Sequence, residues 1–171
     1  MRKPIISGAV VILLVVVASF AAERARIKIT SSAFQEGGNL PSKFTCDGSD
    51  TSPPLQITGA PSQAKSLVLI ADDPDAPSGL FTHWLVWNIP PHTNSIAEGS
   101  APNGVHGTND FGKPGYKGPC PPPGTHRYSF KIYALDRELD LSSGAKRRQV
   151  DAAIKGHVIA QGELMGRYAR K

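Results

Sequence analysis

A mainly β domain of the α+β type, with one short helix near the C-terminus, is the fold class that this 171-residue sequence predicts. Three observations carry it. The length suits one domain with a single core. The chain holds 17 glycines and 15 prolines, well above ordinary usage, yet its 40% hydrophobic content is too high for a disordered chain. Three long runs have strand patterning, and only one stretch has helical periodicity.

Taken in order, residues 1–21 read as an export signal: Arg2 and Lys3, an apolar run from Ala9 to Ala18, then Ser19 and Ala21 at small-residue positions suited to cleavage, with a mature start near Ala22. An uncleaved anchor is the alternative, because Pro4 to Ala22 is free of charge. Residues 22–171 then form the single domain, exported to a periplasmic or secreted location. "ARIKIT" (25–30) alternates as a first strand. From Phe34 to Pro61 turn residues recur every few positions, leaving short strand pieces at Lys43 to Thr45 and Leu55 to Thr58 and no place for a helix. "KSLVLIADDPDAP" begins with Leu67 to Ala71, apolar on both faces as in a buried strand, and stops at an acidic turn locked by Pro74 and Pro77. "HWLVWNIP" (83–90) is a second buried strand that places Trp84 and Trp87 in the core. "HRYSFKIYALD" (126–136) is a third, with His126, Tyr128, Phe130, Ile132 and Ala134 on one face. "GAKRRQVDAAIKGH" is the helix, with Val150 and Ile154 on its apolar stripe and Gly156 as its stop, and "VIAQGELMGRYA" is the closing strand.

Charge excludes some functions. The formal net charge is +5, and loss of Arg2 and Lys3 with the leader reduces it to +3. The one basic cluster, "KRR" at 146–148, reads as a solvated helix face; nucleic-acid binding would want a broader stripe.

The polar residues that look out of place sit at strand ends. Asp73 shares parity with Leu67, Leu69 and Ala71, His83 opens one long strand, and His126 with Tyr128 opens another. If the strands are neighbours, the four side chains converge on one rim. Between them lies "GPCPPPG" (118–124), where Pro119, Pro121, Pro122 and Pro123 fix the backbone. Such a loop could aim the N–H groups of Gly118 and Cys120 at an anion with little ordering cost. Each residue also has a structural reading: an Asp capping a turn, a satisfied core His, a packed Tyr. The only two cysteines, Cys46 and Cys120, are expected to form a disulfide in an oxidising compartment, with two buried thiols as the alternative.

"DDPDAPSG", "HWLVWNIP", "GYKGPCPPPGTHRYSFKIYALD" and "AIKGHVIAQGELMGRY", in that order over most of the mature chain, resemble the phosphatidylethanolamine-binding protein family in its bacterial Raf-kinase-inhibitor-like branch. The resemblance implies two antiparallel sheets and a small pocket for phosphate-like or carboxylate anions and phospholipid headgroups. Carried over by position, the pocket would contain Asp73, Asp75, His83, the backbone of Gly118, Pro119 and Cys120, then His126 and Tyr128.

The expected function is therefore non-enzymatic binding of a small phosphorylated or other anionic ligand, including a phospholipid headgroup, with no cofactor. The alternatives are an Asp–His hydrolase, which lacks an activated nucleophile, a zinc site from Asp73, Asp75, His83 and His126, which lacks close His spacing, and inhibition of a kinase or protease through an exposed loop. For the histidines, burial would lower the pKa and the Asp73 carboxylate would raise it; the rigid Asp turn favours the carboxylate.

Overall fold

The structure, a computed structural model, describes residues 25–170, so the leader expected at 1–21 lies outside the described residues. Its elements are β1 (Ala25–Arg26), β2 (Lys28–Thr30), a one-turn 3-10 helix (Ser42–Phe44), β3 (Leu55–Thr58), β4 (Ser66–Asp73), β5 (Phe81–Ile89), β6 (Ser95–Ile96), β7 (Val105–His106), β8 (Thr125–Leu135), α1 (Arg147–Ile154) and β9 (Val158–Ala169). Six strands form one sheet in the order β1-β9-β8-β4-β5-β7, and β2-β3-β6 form a second. All pairings are antiparallel except β1 with β9.

The central strands are apolar on both faces because each face has a covering layer. Leu67, Leu69, Trp84, Val86, Phe130 and Ile132 pack against Ile29, Leu55, Ile57 and Ile96 of the small sheet. On the other face Val68, Ile70, Leu85 and Trp87 meet Val150 and Ile154 of α1. All eight residues of β4 are consequently buried. Burying Val150 and Ile154 is worth roughly 1.5–3 kcal/mol each, which holds a helix too short to persist alone.

Three expectations are corrected. "ARIKIT" is not one strand: Ala25 and Arg26 pair with Ala160 and Gln161 of β9, while Lys28 to Thr30 pair with β3 in the other sheet. Close passage of Ile27 over Gly162, which has no Cβ to obstruct it, lets the chain change sheets there. Residues 42–44 turn as a 3-10 helix rather than extend, closed by Thr45 N–H donating to the Ser42 carbonyl. In the "KRR" cluster Lys146 and Arg148 are exposed, but Arg147 reaches inward, donating to Asp72 Oδ1 at 2.9 Å and to Asp151 Oδ1 at 2.7 Å. Asp72 has no exposed side-chain surface and also accepts from Lys131 Nζ at 2.9 Å. Two cations thus compensate one buried carboxylate and tie the helix to the sheet.

Candidate functional site

The two acidic residues at the end of β4 face opposite ways, as strand alternation requires. Asp72 points to the helix side, and Asp73 to the side of the small sheet, where it meets β8. Asp72 pairs with Ser129 in the ladder, so the next step brings Asp73 beside Tyr128 and His126. Asp73 Oδ2 accepts a hydrogen bond from His126 Nδ1–H at 2.7 Å, and Asp73 Oδ1 accepts from the Asp75 N–H at 2.8 Å. Both side chains of the Asp73–His126 pair are at least nine-tenths buried.

His83 reaches the same place through an irregularity. Strict alternation from Leu85 and Trp87, which face the helix, would send His83 to the helix side as well. Instead Ala71 pairs with Trp84 and Asp72 with Thr82, so β5 carries one extra residue at His83. This β-bulge turns His83 onto the face of Asp73. The displaced His83 carbonyl leaves the ladder and accepts from the Lys117 N–H at 3.1 Å. His83 Nδ1 lies 2.6 Å from the Lys117 carbonyl oxygen, which can only accept, so Nδ1 carries the proton. The loop 115–118 therefore clamps His83 at both its backbone and its ring.

These groups line a cavity of about 170 Å³ together with Phe81, Phe111, Pro121, Pro122, Cys120 and the turn residues Ala76 to Ser78. Its aromatic wall is built from edge contacts: Phe111 on Phe81 at 4.9 Å, Phe111 on His83 at 5.4 Å and His83 on Tyr128 at 5.3 Å between ring centres. Asn109 fixes the Phe111 loop by accepting from the Phe111 and Lys113 N–H groups and donating to the Gly115 carbonyl. The Tyr128 hydroxyl is buried close to the Asp73 carboxylate and makes no hydrogen bond of ordinary length and angle among the described residues. Burial, and then the Asp73 charge, raise its pKa, so it remains a neutral O–H donor. A wider groove of about 540 Å³ over Lys131, Tyr133 and Glu163 has no comparable buried donor.

Of the residues expected here, Asp73, His83, Cys120, His126 and Tyr128 line the cavity, whereas Asp75, Gly118 and Pro119 do not. Asp75 is turned outward and accepts from Arg127 through both oxygens, at 2.9 and 2.6 Å, a pairing that holds its carboxyl at about 2. The Gly118 N–H is spent on Asp50 Oδ1 at 2.7 Å, so it is not a ligand donor. A Cβ at Gly118 would collide with the Phe44 carbonyl and approach Thr45 Cα to 2.9 Å, so its glycine serves chain packing. The Pro119 carbonyl accepts from the Cys46 N–H at 3.0 Å. Cys46 and Cys120 are joined by a disulfide with 5.4 Å between Cα atoms. The expectation that the carboxylate would dominate histidine titration is corrected at His83, where burial outweighs Asp73 and lowers the pKa. Among the described residues no three His, Cys, Asp or Glu side chains are grouped to hold a metal ion. Phe81 could have been found from its i, i+2 relation to His83; Phe111 comes from a loop with no local signal.

A family model for phosphatidylethanolamine-binding protein matches residues 30–169. The chain belongs to the phosphatidylethanolamine-binding protein family. Its relatives include the UPF0098 protein of Pyrococcus horikoshii, 48% identical over 98% of this chain and 89% of the relative. The UPF0098 protein of Methanothermobacter thermautotrophicus is 49% identical over 84% of this chain and 99% of its own. Among solved structures, a phosphatidylethanolamine-binding protein homologue from Chlamydia trachomatis superposes with a TM-score of 0.82 at 44% identity, covering 85% of this chain and 99% of its own. Escherichia coli YbcL, described as a new member of the mammalian family, gives a TM-score of 0.80 at 32% identity over 86% of this chain and 100% of YbcL. Family membership supports a binding role for this two-sheet fold with its short helix near the C-terminus.

Proposed function

We propose that this phosphatidylethanolamine-binding protein family member binds phosphate-like oxyanions without turning them over, the anion being a small free phosphate compound or a phospholipid headgroup. One observation carries the reading: the buried Tyr128 O–H, which makes no hydrogen bond of ordinary geometry among the described residues, lines a small cavity beside the Asp73–His126 pair. A buried unpaired donor costs about 1–3 kcal/mol, which an oxyanion would recover. Asp73 orients His126 through Nδ1, leaving Nε2 for a ligand. The apolar leader and the disulfide support an exported location.

Calorimetric titration of inorganic phosphate into the wild type and His126→Ala tests the reading. Binding that weakens at least tenfold in the variant, with an unchanged near-UV circular dichroism spectrum, is expected. Equal affinity in both would place the site elsewhere, and release of nitrophenol from nitrophenyl phosphate above the buffer rate would contradict binding without turnover.

A further inference from the structure

We propose that Asn103 is a site of spontaneous modification built into the fold, where the native protein converts its exposed Asn103–Gly104 dipeptide through a cyclic imide into aspartate and isoaspartate. The site lies apart from the anion cavity, which neither residue lines.

The reaction needs an asparagine side chain free to turn onto the next main-chain nitrogen, and a next residue with no side chain to obstruct that approach. The chain holds five asparagines, and Asn103 alone precedes a glycine. Asn103 and Gly104 are both exposed, in a bend just before β7. Among the described residues no hydrogen bond engages the Asn103 side chain or the Gly104 N–H.

Elsewhere the same chemistry is blocked. Asn88 is held at both ends of its amide by Leu139, donating to the carbonyl at 2.9 Å and accepting from the N–H at 2.8 Å. Asn109 is held by Gly115, Phe111 and Lys113, and the Asp110 N–H that would attack it donates to the Thr82 carbonyl at 2.9 Å. The Leu40 N–H after Asn39 is likewise spent on the Arg167 carbonyl at 2.8 Å. Asn94 precedes Ser95, whose side chain crowds the nitrogen. The Asp47–Gly48 pair, which can form the same imide, is tied twice. Gly48 N–H donates to the Thr45 carbonyl at 3.0 Å, and the Asp47 carboxylate accepts from Tyr168 Oη at 2.7 Å and Arg170 Nε at 3.2 Å.

Packing fixes the glycine that makes Asn103 labile. A Cβ at Gly104 would lie 2.6 Å from the Trp87 carbonyl oxygen and 3.0 Å from Val86 Cγ1, because the chain passes closely over β5 as it enters β7. In the first step hydroxide takes the Gly104 amide proton and the nitrogen bonds to Asn103 Cγ. The Cγ–Nδ2 bond breaks, and the departing group takes a proton from water and leaves as ammonia. Water then opens the imide. Cleavage at Cγ restores the main chain as aspartate, whereas cleavage at the Asn103 main-chain carbonyl leaves the chain running through Cγ as isoaspartate. Either product adds a negative charge to the bend. Isoaspartate also adds one carbon to the main chain between buried Pro102 and the Val105–Trp87 pair, which the two-residue edge strand must absorb.

The test incubates the folded wild-type protein at pH 8 for several weeks, with samples digested and mapped by mass spectrometry. The peptide carrying Asn103 is expected to gain the mass difference between NH2 and OH at least tenfold faster than any peptide carrying another asparagine. It should separate into aspartate and isoaspartate forms on chromatography and convert more slowly at pH 6. Asn103→Gln, which would need a larger ring, should stay unchanged over the same period. Conversion at Asn103 no faster than at Asn94 would overturn the inference, as would an intact Asn103 when a synthetic peptide of residues 101–107 has half converted. Isoaspartate formed at Asp47 as fast as at Asn103 would also overturn it, since the hydrogen bonds around Asp47 would then give no protection.

Discussion

Removing the Cys46–Cys120 bond should destabilise the domain far more than it alters the cavity. The bond spans 74 residues. In the chain-entropy account, a loop of that length removes about 4.4 kcal/mol of conformational freedom from the unfolded state. The native loop, however, has other ties: Gly118 N–H to Asp50, Cys46 N–H to the Pro119 carbonyl at 3.0 Å, and the Tyr116 hydroxyl to the Phe44 carbonyl at 2.8 Å. The Cys46→Ser, Cys120→Ser double variant should therefore lose about 3–4 kcal/mol in urea unfolding, with a melting temperature lower by about 6–16 °C at a typical 2–4 °C per kcal/mol for this size. Its phosphate affinity should change less than threefold, because those hydrogen bonds still hold the loop that clamps His83. A stability loss below about 1 kcal/mol would refute the entropic argument. A loss of binding with the fold intact would show that the covalent tie, not the hydrogen bonds, positions Pro121 and Pro122.

Asp72→Ala should destabilise the fold by about 3 kcal/mol in denaturant titration, since it strands Lys131 and leaves Arg147 with Asp151 alone at the boundary between helix and sheet; a loss under about 1 kcal/mol would mean that both cations reach water freely. His83 should make stability fall on the acid side. Its folded-state pKa is depressed by burial, so the unfolded chain binds the proton more readily, and its contribution is complete above about pH 6.5 and lost as pH falls below that value. Melting curves from pH 8 to 5 should show this decline in the wild type and a shallower one in His83→Gln; identical slopes would mean that the ring protonates in place.

The strands that bear the site were legible in the sequence because their cores are. Leu67 to Ala71 and the alternation from His126 to Ala134 mark β4 and β8 without knowledge of their neighbours, and the run at 158–169 matches β9. Strand-end polar residues then pointed to Asp73, His83, His126 and Tyr128. The position of His83 was less secure than it looked, because parity with Leu85 and Trp87 sends it to the wrong face and only the bulge against β4 corrects this. A bulge is a property of two paired strands and leaves no mark in one of them. The same holds for Asp50, which satisfies Gly118 across 68 positions, and for Asn109 and Phe111, whose roles exist only after the loop folds over β5. The Gly118 N–H therefore read as free for an anion when long-range contact had already claimed it. Ile27 likewise gives no local sign that the chain changes sheets there.

Titration of inorganic phosphate into Tyr128→Phe at pH 6 bears most directly on the central claim. The hydroxyl makes no hydrogen bond of ordinary geometry among the described residues, so its removal should leave stability within about 0.5 kcal/mol of the wild type or raise it. If the cavity holds an oxyanion, the same change deletes a hydrogen bond to a charged acceptor, worth about 1.5–3 kcal/mol, and affinity should fall about tenfold or more. Unchanged phosphate affinity in a folded Tyr128→Phe protein would contradict the account.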